Sequence, residues 1–185
     1  MRRSEDKDEE NDNGMTRGEI LASIRVLLVA GSETSASVLS GTMYFLLKNP
    51  LWLIRVQNEV RKVFSMGDEI TLGALTPGGN GKVPLPLLEA VLKESFRRYP
   101  PVPTALPRVT PPGGAIIDGK FVPGDVSVGV HQWSTYHSPD NFESPDIWDP
   151  ARWLDDHAES EQYRNDDNSS LQPFSLGPRG CVGKR

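Results

Sequence analysis

Phe174-Ser175-Leu176-Gly177-Pro178-Arg179-Gly180-Cys181-Val182-Gly183 holds the single cysteine of the chain. A lone cysteine is ordinarily an inert buried thiol. The residues around this one argue against that reading. Two glycines and a proline precede the thiol, so the backbone is bent there and can approach a flat partner closely. Arg179 stands two residues before it and favours thiolate over thiol. Such a loop presents a sulfur anion with amide N–H groups around it.

A haem iron's proximal ligand needs those properties: electron donation from sulfur, moderated by hydrogen bonds to it. A phosphate loop is the rival reading of the same glycines. Gly-x-x-x-x-Gly-Lys-Ser/Thr requires four residues between the glycines, whereas Gly177 and Gly183 enclose five. Arg185 also stands where a magnesium-binding hydroxyl should be, so the phosphate loop is rejected.

Composition narrows the classes further. The chain has 185 residues and 20.4 kDa, enough for one domain or two. Its 20 basic and 25 acidic residues leave a net charge of −5, which argues against a general nucleic-acid binder. Hydrophobic residues make up 37%, somewhat polar but well short of a disordered composition. One cysteine excludes an internal disulfide framework and any four-cysteine metal site. No uninterrupted apolar run reaches the roughly 18 residues needed to cross a membrane. The start, Met1-Arg2-Arg3-Ser4-Glu5-Asp6, is not a signal peptide, because no apolar stretch follows the basic pair.

Upstream of the cysteine the chain falls into zones. Residues 1–14 form a polar, charge-rich tail or loop. Ile20, Ile24, Leu27, Leu28, Val38, Leu39, Phe45 and Leu46 recur at helical spacing and predict a long helix over 16–49, with Thr16 and Glu19 as a capping box. Pro50 opens a second helix, 50–66, whose apolar face uses Leu53, Val56, Val60 and Val63. Residues 73–81 read as a loop. A third helix covers 86–99, with Leu87, Leu88, Val91 and Leu92 inward. All 16 prolines lie at or after Pro50, six of them between Pro100 and Pro112, so that stretch is not regular helix. Ala115 to Ile117 and Lys120 to Val122 flank Asp118-Gly119, a hairpin signal, and Asp125 to Val130 is a third short strand. The expected class is therefore mainly α with a small β-sheet over 115–130. Residues 149–185 form a meander and the cysteine loop.

The cysteine segment resembles the cysteine loop of the cytochrome P450 family, Phe-x-x-Gly-x-Arg-x-Cys-x-Gly. All five fixed positions are present: Phe174, Gly177, Arg179, Cys181 and Gly183. Chance produces that match at about one starting position in a few million. The resemblance implies that haem is the cofactor and Cys181 its axial iron ligand. It further implies that Arg179 pairs with a haem propionate and that Phe174 packs near the sulfur.

Three other segments agree in order and spacing. Lys93-Glu94-Ser95-Phe96-Arg97 places Glu94 and Arg97 on one helix face. It looks like the family's Glu-x-x-Arg motif. Asp149-Pro150-Ala151-Arg152-Trp153 then matches the position of a second arginine, with Ala151 where an acidic residue is usual. The implied role of Glu94, Arg97 and Arg152 is structural, a carboxylate shared by two guanidinium groups. Ala30-Gly31-Ser32-Glu33-Thr34-Ser35 puts a glycine and four polar side chains into an apolar helix. Its hydroxyls can simply bond back to carbonyls one turn earlier. The segment also resembles the family's oxygen-activation segment. That reading implies that Thr34 donates a hydrogen bond to dioxygen, Glu33 relays protons, and Ala30 and Gly31 leave room for the haem face. Tyr99-Pro100-Pro101-Val102-Pro103-Thr104-Ala105-Leu106-Pro107-Arg108 reads as a rigid loop on its residues alone. The resemblance makes Arg108 a second propionate partner and Thr104 and Leu106 substrate-pocket residues. His131, His137 and His157 show no metal-ligand spacing and read as loop or surface residues. His131-Gln132-Trp133 resembles fungal family members.

The resemblance implies a partial P450 fold, the carboxy-terminal half ending just after the haem-ligating cysteine. The implied function is a haem-thiolate monooxygenase that inserts one oxygen atom of O2 into a small organic substrate, in fungal secondary metabolism. Its implied electron donor is an NADPH-dependent flavoprotein reductase, with cytochrome b5 as an accessory. A truncated, inactive remnant unable to retain haem is the alternative, and an interaction module is a third class with no positive feature. The family implies an endoplasmic-reticulum membrane location; with no anchor recognised in the sequence, this chain would itself be cytoplasmic.

Overall fold

The computed structural model describes residues 14–65, 67, 70–75, 85–154 and 158–184. Helix α1 spans Arg17–Lys48 and α2 spans Pro50–Val63. A single turn, α3, covers Leu72–Leu75 within the expected loop, whose remainder lies outside the described residues. Helix α4 is Pro86–Arg98. Strands β1 (Arg108–Val109), β2 (Ala115–Ile117), β3 (Lys120–Val122) and β4 (Ser127–Val128) follow, then α5, Gln132–Tyr136. From there to the cysteine the described chain is loop and 3-10 turn, including Pro150–Trp153 and Gly177–Arg179. The mainly α class with little sheet is what the sequence predicts.

Local chemistry explains the boundaries. Thr16 and Glu19 form the expected capping box. The Thr16 N–H donates to Glu19 Oε2 at 2.7 Å, and the Glu19 N–H to Thr16 Oγ1 at 3.3 Å. That backbone bond, with the Thr16 hydroxyl, holds the Glu19 carboxyl below its ordinary value. Leu85 has no capping side chain, so α4 borrows one. The Glu59 carboxylate, from α2, accepts the N–H groups of Leu87 and Leu88, both at 2.9 Å. In the β2–β3 hairpin, Asp118 and Gly119 both adopt positive φ, 48° and 70°, the turn whose twist suits paired strands.

Two placements differ from the sequence reading. The third strand does not extend the hairpin. It pairs antiparallel with β1, Arg108 opposite Val128, making two separate two-stranded ladders. Two residues of β1 in a proline-rich stretch carry no alternating pattern that could announce a strand. On α2, Val63 is 37% exposed and Phe64 takes its place in the interior at 8%. The helix ends at Val63, and the extended backbone of Phe64 turns that side chain inward.

The core lies where α1, α2 and α4 meet. Leu46, Val56, Val91 and Trp148 form its centre, with Phe45 and Leu88 among the residues packed around it. Trp148 stacks on Phe45, ring centroids 5.4 Å apart and 9° from parallel. Only the carboxy-terminal part of α1 takes part. Thr42 and Leu46 are its buried residues, while Val26 and Leu28 are each 66% exposed. The helix contains a window of mean hydropathy 1.2, long and apolar enough by length and composition to cross a membrane. The contiguous-run criterion misses it because Ser32, Glu33, Thr34 and Ser35 interrupt the run.

Trp148→Ala removes the largest ring of this core. It is expected to lower unfolding free energy by about 3–5 kcal/mol, read as a shifted urea midpoint at unchanged slope.

Candidate functional site

Glu94 is fully buried on α4, and its two oxygens organise everything near them. Arg97, one turn on, donates Nε–H to Oε2 at 2.9 Å and Nη2–H to Oε1 at 2.7 Å, a bidentate fork. Arg152 reaches the same carboxylate from the 3-10 turn 58 residues later, its Nε 3.2 Å from Oε2 and 3.3 Å from Oε1. The Trp153 indole N–H (3.0 Å) and the Asp149 backbone N–H (3.0 Å) complete the shell. Helical spacing brings Glu94 and Arg97 together, and the fold adds Arg152, the second arginine that the resemblance implies.

Arg97 also works on the backbone. It donates to the carbonyls of Tyr136 (2.9 Å), Pro145 (2.7 Å) and Ile147 (2.8 Å). With the Glu94 fork, all five guanidinium N–H groups are satisfied. Arg152 pairs on its other side with Asp166, and Asp166 accepts the Glu143 N–H at 2.7 Å. The buried charges are then two guanidinium groups against two carboxylates. Asp166 belongs to no motif read from the sequence. Its signal was weak, one acid in a polar, irregular stretch.

The cysteine loop closes on itself. The Cys181 N–H donates to the Phe174 carbonyl at 2.8 Å and the Gly180 N–H to the Gly177 carbonyl at 2.9 Å. Gly177 sits at φ +71°, which a side chain would strain. The Gly183 N–H points at Cys181 Sγ, 3.3 Å away, and the thiol is exposed. The Phe174 ring meets Phe96 edge-on, centroids 5.4 Å apart, tying the loop to α4. The loop's other anchor is Tyr136. Its hydroxyl accepts the Gln172 N–H at 3.1 Å, and burial pushes its pKa up to about 12. Arg179 is exposed.

Beside the loop lies an open cleft of about 690 Å³, with Leu106, Arg108, Val128, Gln132, Ser175 and Leu176 among its lining. Arg108 donates to the neighbouring Pro107 carbonyl at 2.9 Å and to no other described residue. Thr104 is exposed and does not line the cleft. The α1 residues stand apart. Ala30, Gly31 and Glu33 are exposed, and a Cβ at Gly31 would meet nothing within 4 Å. The Thr34 hydroxyl donates to the Ala30 carbonyl at 2.7 Å, and Ser32 to Leu28 at 2.8 Å, the back-bonded arrangement that the residues alone allow. His137 is not a surface residue. It stacks on Trp133 at 3.9 Å and is half-buried, while His157 lies outside the described residues. Among the described residues no group of three or more His, Cys, Asp or Glu side chains could hold a metal ion.

A sequence model of the family described as "Cytochrome P450" matches residues 1–185. This chain belongs to the cytochrome P450 family. It is 44% identical over 170 residues to the cytochrome P450 monooxygenase efuB of Hormonema carpetanum, covering 92% of this chain and 32% of that one. It is 42% identical over 174 residues to the trichothecene C-4 hydroxylase of Trichoderma arundinaceum, covering 92% and 34%. Among solved structures, a zebra fish cytochrome P450 with abiraterone superposes with a TM-score of 0.69 at 31% identity. The match covers 95% of this chain and 38% of the zebra fish chain. The chain thus spans about a third of the length of the P450 relatives it matches.

Removing one carboxylate leaves two buried guanidinium groups facing a single negative charge. Glu94→Ala and Asp166→Ala are each expected to cost about 3–5 kcal/mol in urea unfolding. Truncating the exposed Arg164–Glu161 pair should cost under about 1 kcal/mol.

The second expectation concerns pH. Burial holds His137 below its ordinary 6.5, despite the bond from its ring to the Trp133 carbonyl, and Arg98 and Arg97 add to the depression. The unfolded chain therefore takes up that proton first, and stability falls as pH drops below 6.5. His137→Phe should flatten the dependence of the unfolding midpoint on pH below 6.5.

Proposed function

We propose that this chain carries the sulfur ligand, proton-handling helix and scaffold of a haem-thiolate monooxygenase. The carrying observation is the Cys181 sulfur: exposed, with the Gly183 N–H 3.3 Å away, in a loop that has every fixed residue of the family pattern. The surroundings suit a haem. The cleft beside the loop is roomy, and Arg108 keeps donors unused there, ready for a carboxylate.

A bound haem supplies the activation of dioxygen, one atom of which enters the substrate while the other leaves as water. The protein's own residues do the rest. Cys181 would hold the iron through its thiolate, and the Gly183 N–H would temper that sulfur's electron donation. Phe174 screens the sulfur from above α4. Arg108 and Arg179 neutralise the two propionates. Ala30 and Gly31 keep α1 bare enough for a flat group to lie against it. The Thr34 hydroxyl swings from the Ala30 carbonyl to donate toward dioxygen, and exposed Glu33 passes protons from solvent to it. Leu106, which lines the cleft, meets the substrate. Glu94, Arg97 and Arg152 hold α4 and the loop in register.

The substrate is a small, largely apolar organic molecule of fungal secondary metabolism, the class to which a trichothecene hydroxylase among the relatives points. Electrons come from an NADPH-dependent flavoprotein reductase, with cytochrome b5 as an accessory donor, at the endoplasmic-reticulum membrane. A second reading, a polypeptide of the same fold that retains no haem, is favoured by one observation: the apolar sides of α1 are uncovered.

A carbon-monoxide difference spectrum separates the two. The first reading expects a band at about 450 nm, the wavelength in the family's name, and its loss in Cys181→Ala. No haem uptake by the parent protein would favour the second. Thr34→Ala should keep the band and lower turnover by roughly 10²-fold, as removal of a proton-transfer group does.

A further inference from the structure

Gln132 is the first residue of α5, and its side chain is 8% exposed. Its Oε1 is buried and has no hydrogen-bond partner. An amide end stranded inside a protein is costly unless something supplies its partner. Gln132 lines the same 690 Å³ cleft as Arg108 and the cysteine-loop residues Ser175 and Leu176.

The fold fixes that juxtaposition firmly. Ala105 and His131 form an antiparallel bridge, the Trp133 N–H donates to the Pro103 carbonyl at 2.9 Å, and Arg108 lies opposite Val128. Residues on both sides of Gln132 are therefore pinned to the stretch that ends at Arg108. Several other polar side chains of the cleft have partners: Asn141 donates to the Thr135 carbonyl, and Gln172 to the Ser169 carbonyl. Gln132, Arg108 and the Ser175 hydroxyl keep capacity for an occupant. A guanidinium and a primary amide lining one cleft suit a carboxylate. The two ends of an amide are sterically equivalent, so a half-turn about its last torsion presents N–H to an acceptor in place of Oε1.

We propose that Gln132 is a positioning residue for the haem, hydrogen-bonding the propionate carboxylate that Arg108 neutralises. This rests on the haem-thiolate reading above. Gln132 seats the carboxylate edge of the ring and leaves the sulfur ligand untouched.

The test uses haem-loaded protein expressed from its complete reading frame. Gln132→Leu should speed haem transfer to excess apomyoglobin by about tenfold, the loss of one charge-assisted hydrogen bond. It should also shift the propionate-bending band in resonance Raman spectra while leaving the carbon-monoxide band in place. Gln132→Glu keeps the shape but sets carboxylate against carboxylate. Its haem loss should quicken as pH rises through the glutamate's titration, where the parent's does not. Haem retained by both variants at the parent's rate, with the propionate band unmoved, overturns the Gln132 assignment and leaves the haem reading standing. A parent protein that takes up no haem overturns both.

Discussion

The buried carboxylate of Glu94 decides how the rest of this chain is arranged. An isolated carboxylate so far from water would be prohibitive. Here two guanidinium groups, an indole N–H and a backbone N–H surround it. The donors come from separate parts of the chain. Arg97 is local to α4, but Arg152, Trp153 and Asp149 belong to a turn more than fifty residues away in sequence. Asp166 then balances Arg152, so the second carboxylate fastens the segment leading into the cysteine loop. Such a network is strong because it is complete. A cluster lacking one member would be worse than an apolar core of the same shape.

The cysteine loop inherits its position from that cluster. Phe174 leans on Phe96 of α4, and Gln172 hangs from the Tyr136 hydroxyl, whose own carbonyl is held by Arg97. The sulfur, through these links, is fixed to the same helix as Glu94. The other half of the proposed site is less constrained. Much of α1 projects past its packing with α2 and α4, and its polar interruption is satisfied internally, Thr34 to Ala30 and Ser32 to Leu28. The cysteine loop is tied down at several points, whereas α1 is exposed along much of its length.

What could be read from the sequence follows from the range of the interactions. The Thr16–Glu19 box, the Asp118-Gly119 turn and the Glu94–Arg97 spacing are contained within four residues, and their chemistry is visible in the letters. The cap that Glu59 lends to α4 joins residues 28 and 29 apart, and nothing in the local pattern signals it. Asp166 is silent for the same reason. Gln132 looks like an ordinary polar residue at a helix start until its burial is known. Val63 and Phe64 exchanged places because periodicity fixes a helix's face but not the residue at which the helix stops. The α1 pattern was legible as helix, yet a residue row that is apolar all round cannot say which side meets this chain and which meets something else.

Arg97 has a consequence for how this region of the chain can drift. It grips residues 136, 145 and 147 through carbonyl oxygens, which every amino acid supplies. The intervening segment is thus held by its main chain, and its side chains are released from that duty. Substitutions at its exposed positions are buffered so long as the path of the chain is kept, while the buried Tyr136 and Phe142 keep packing roles of their own. The burden shifts wholly onto the gripping residue. Lysine, a point charge with three donors, cannot replace a planar fork that uses five. Tolerance along the loop and intolerance at one helical position are two faces of a single design.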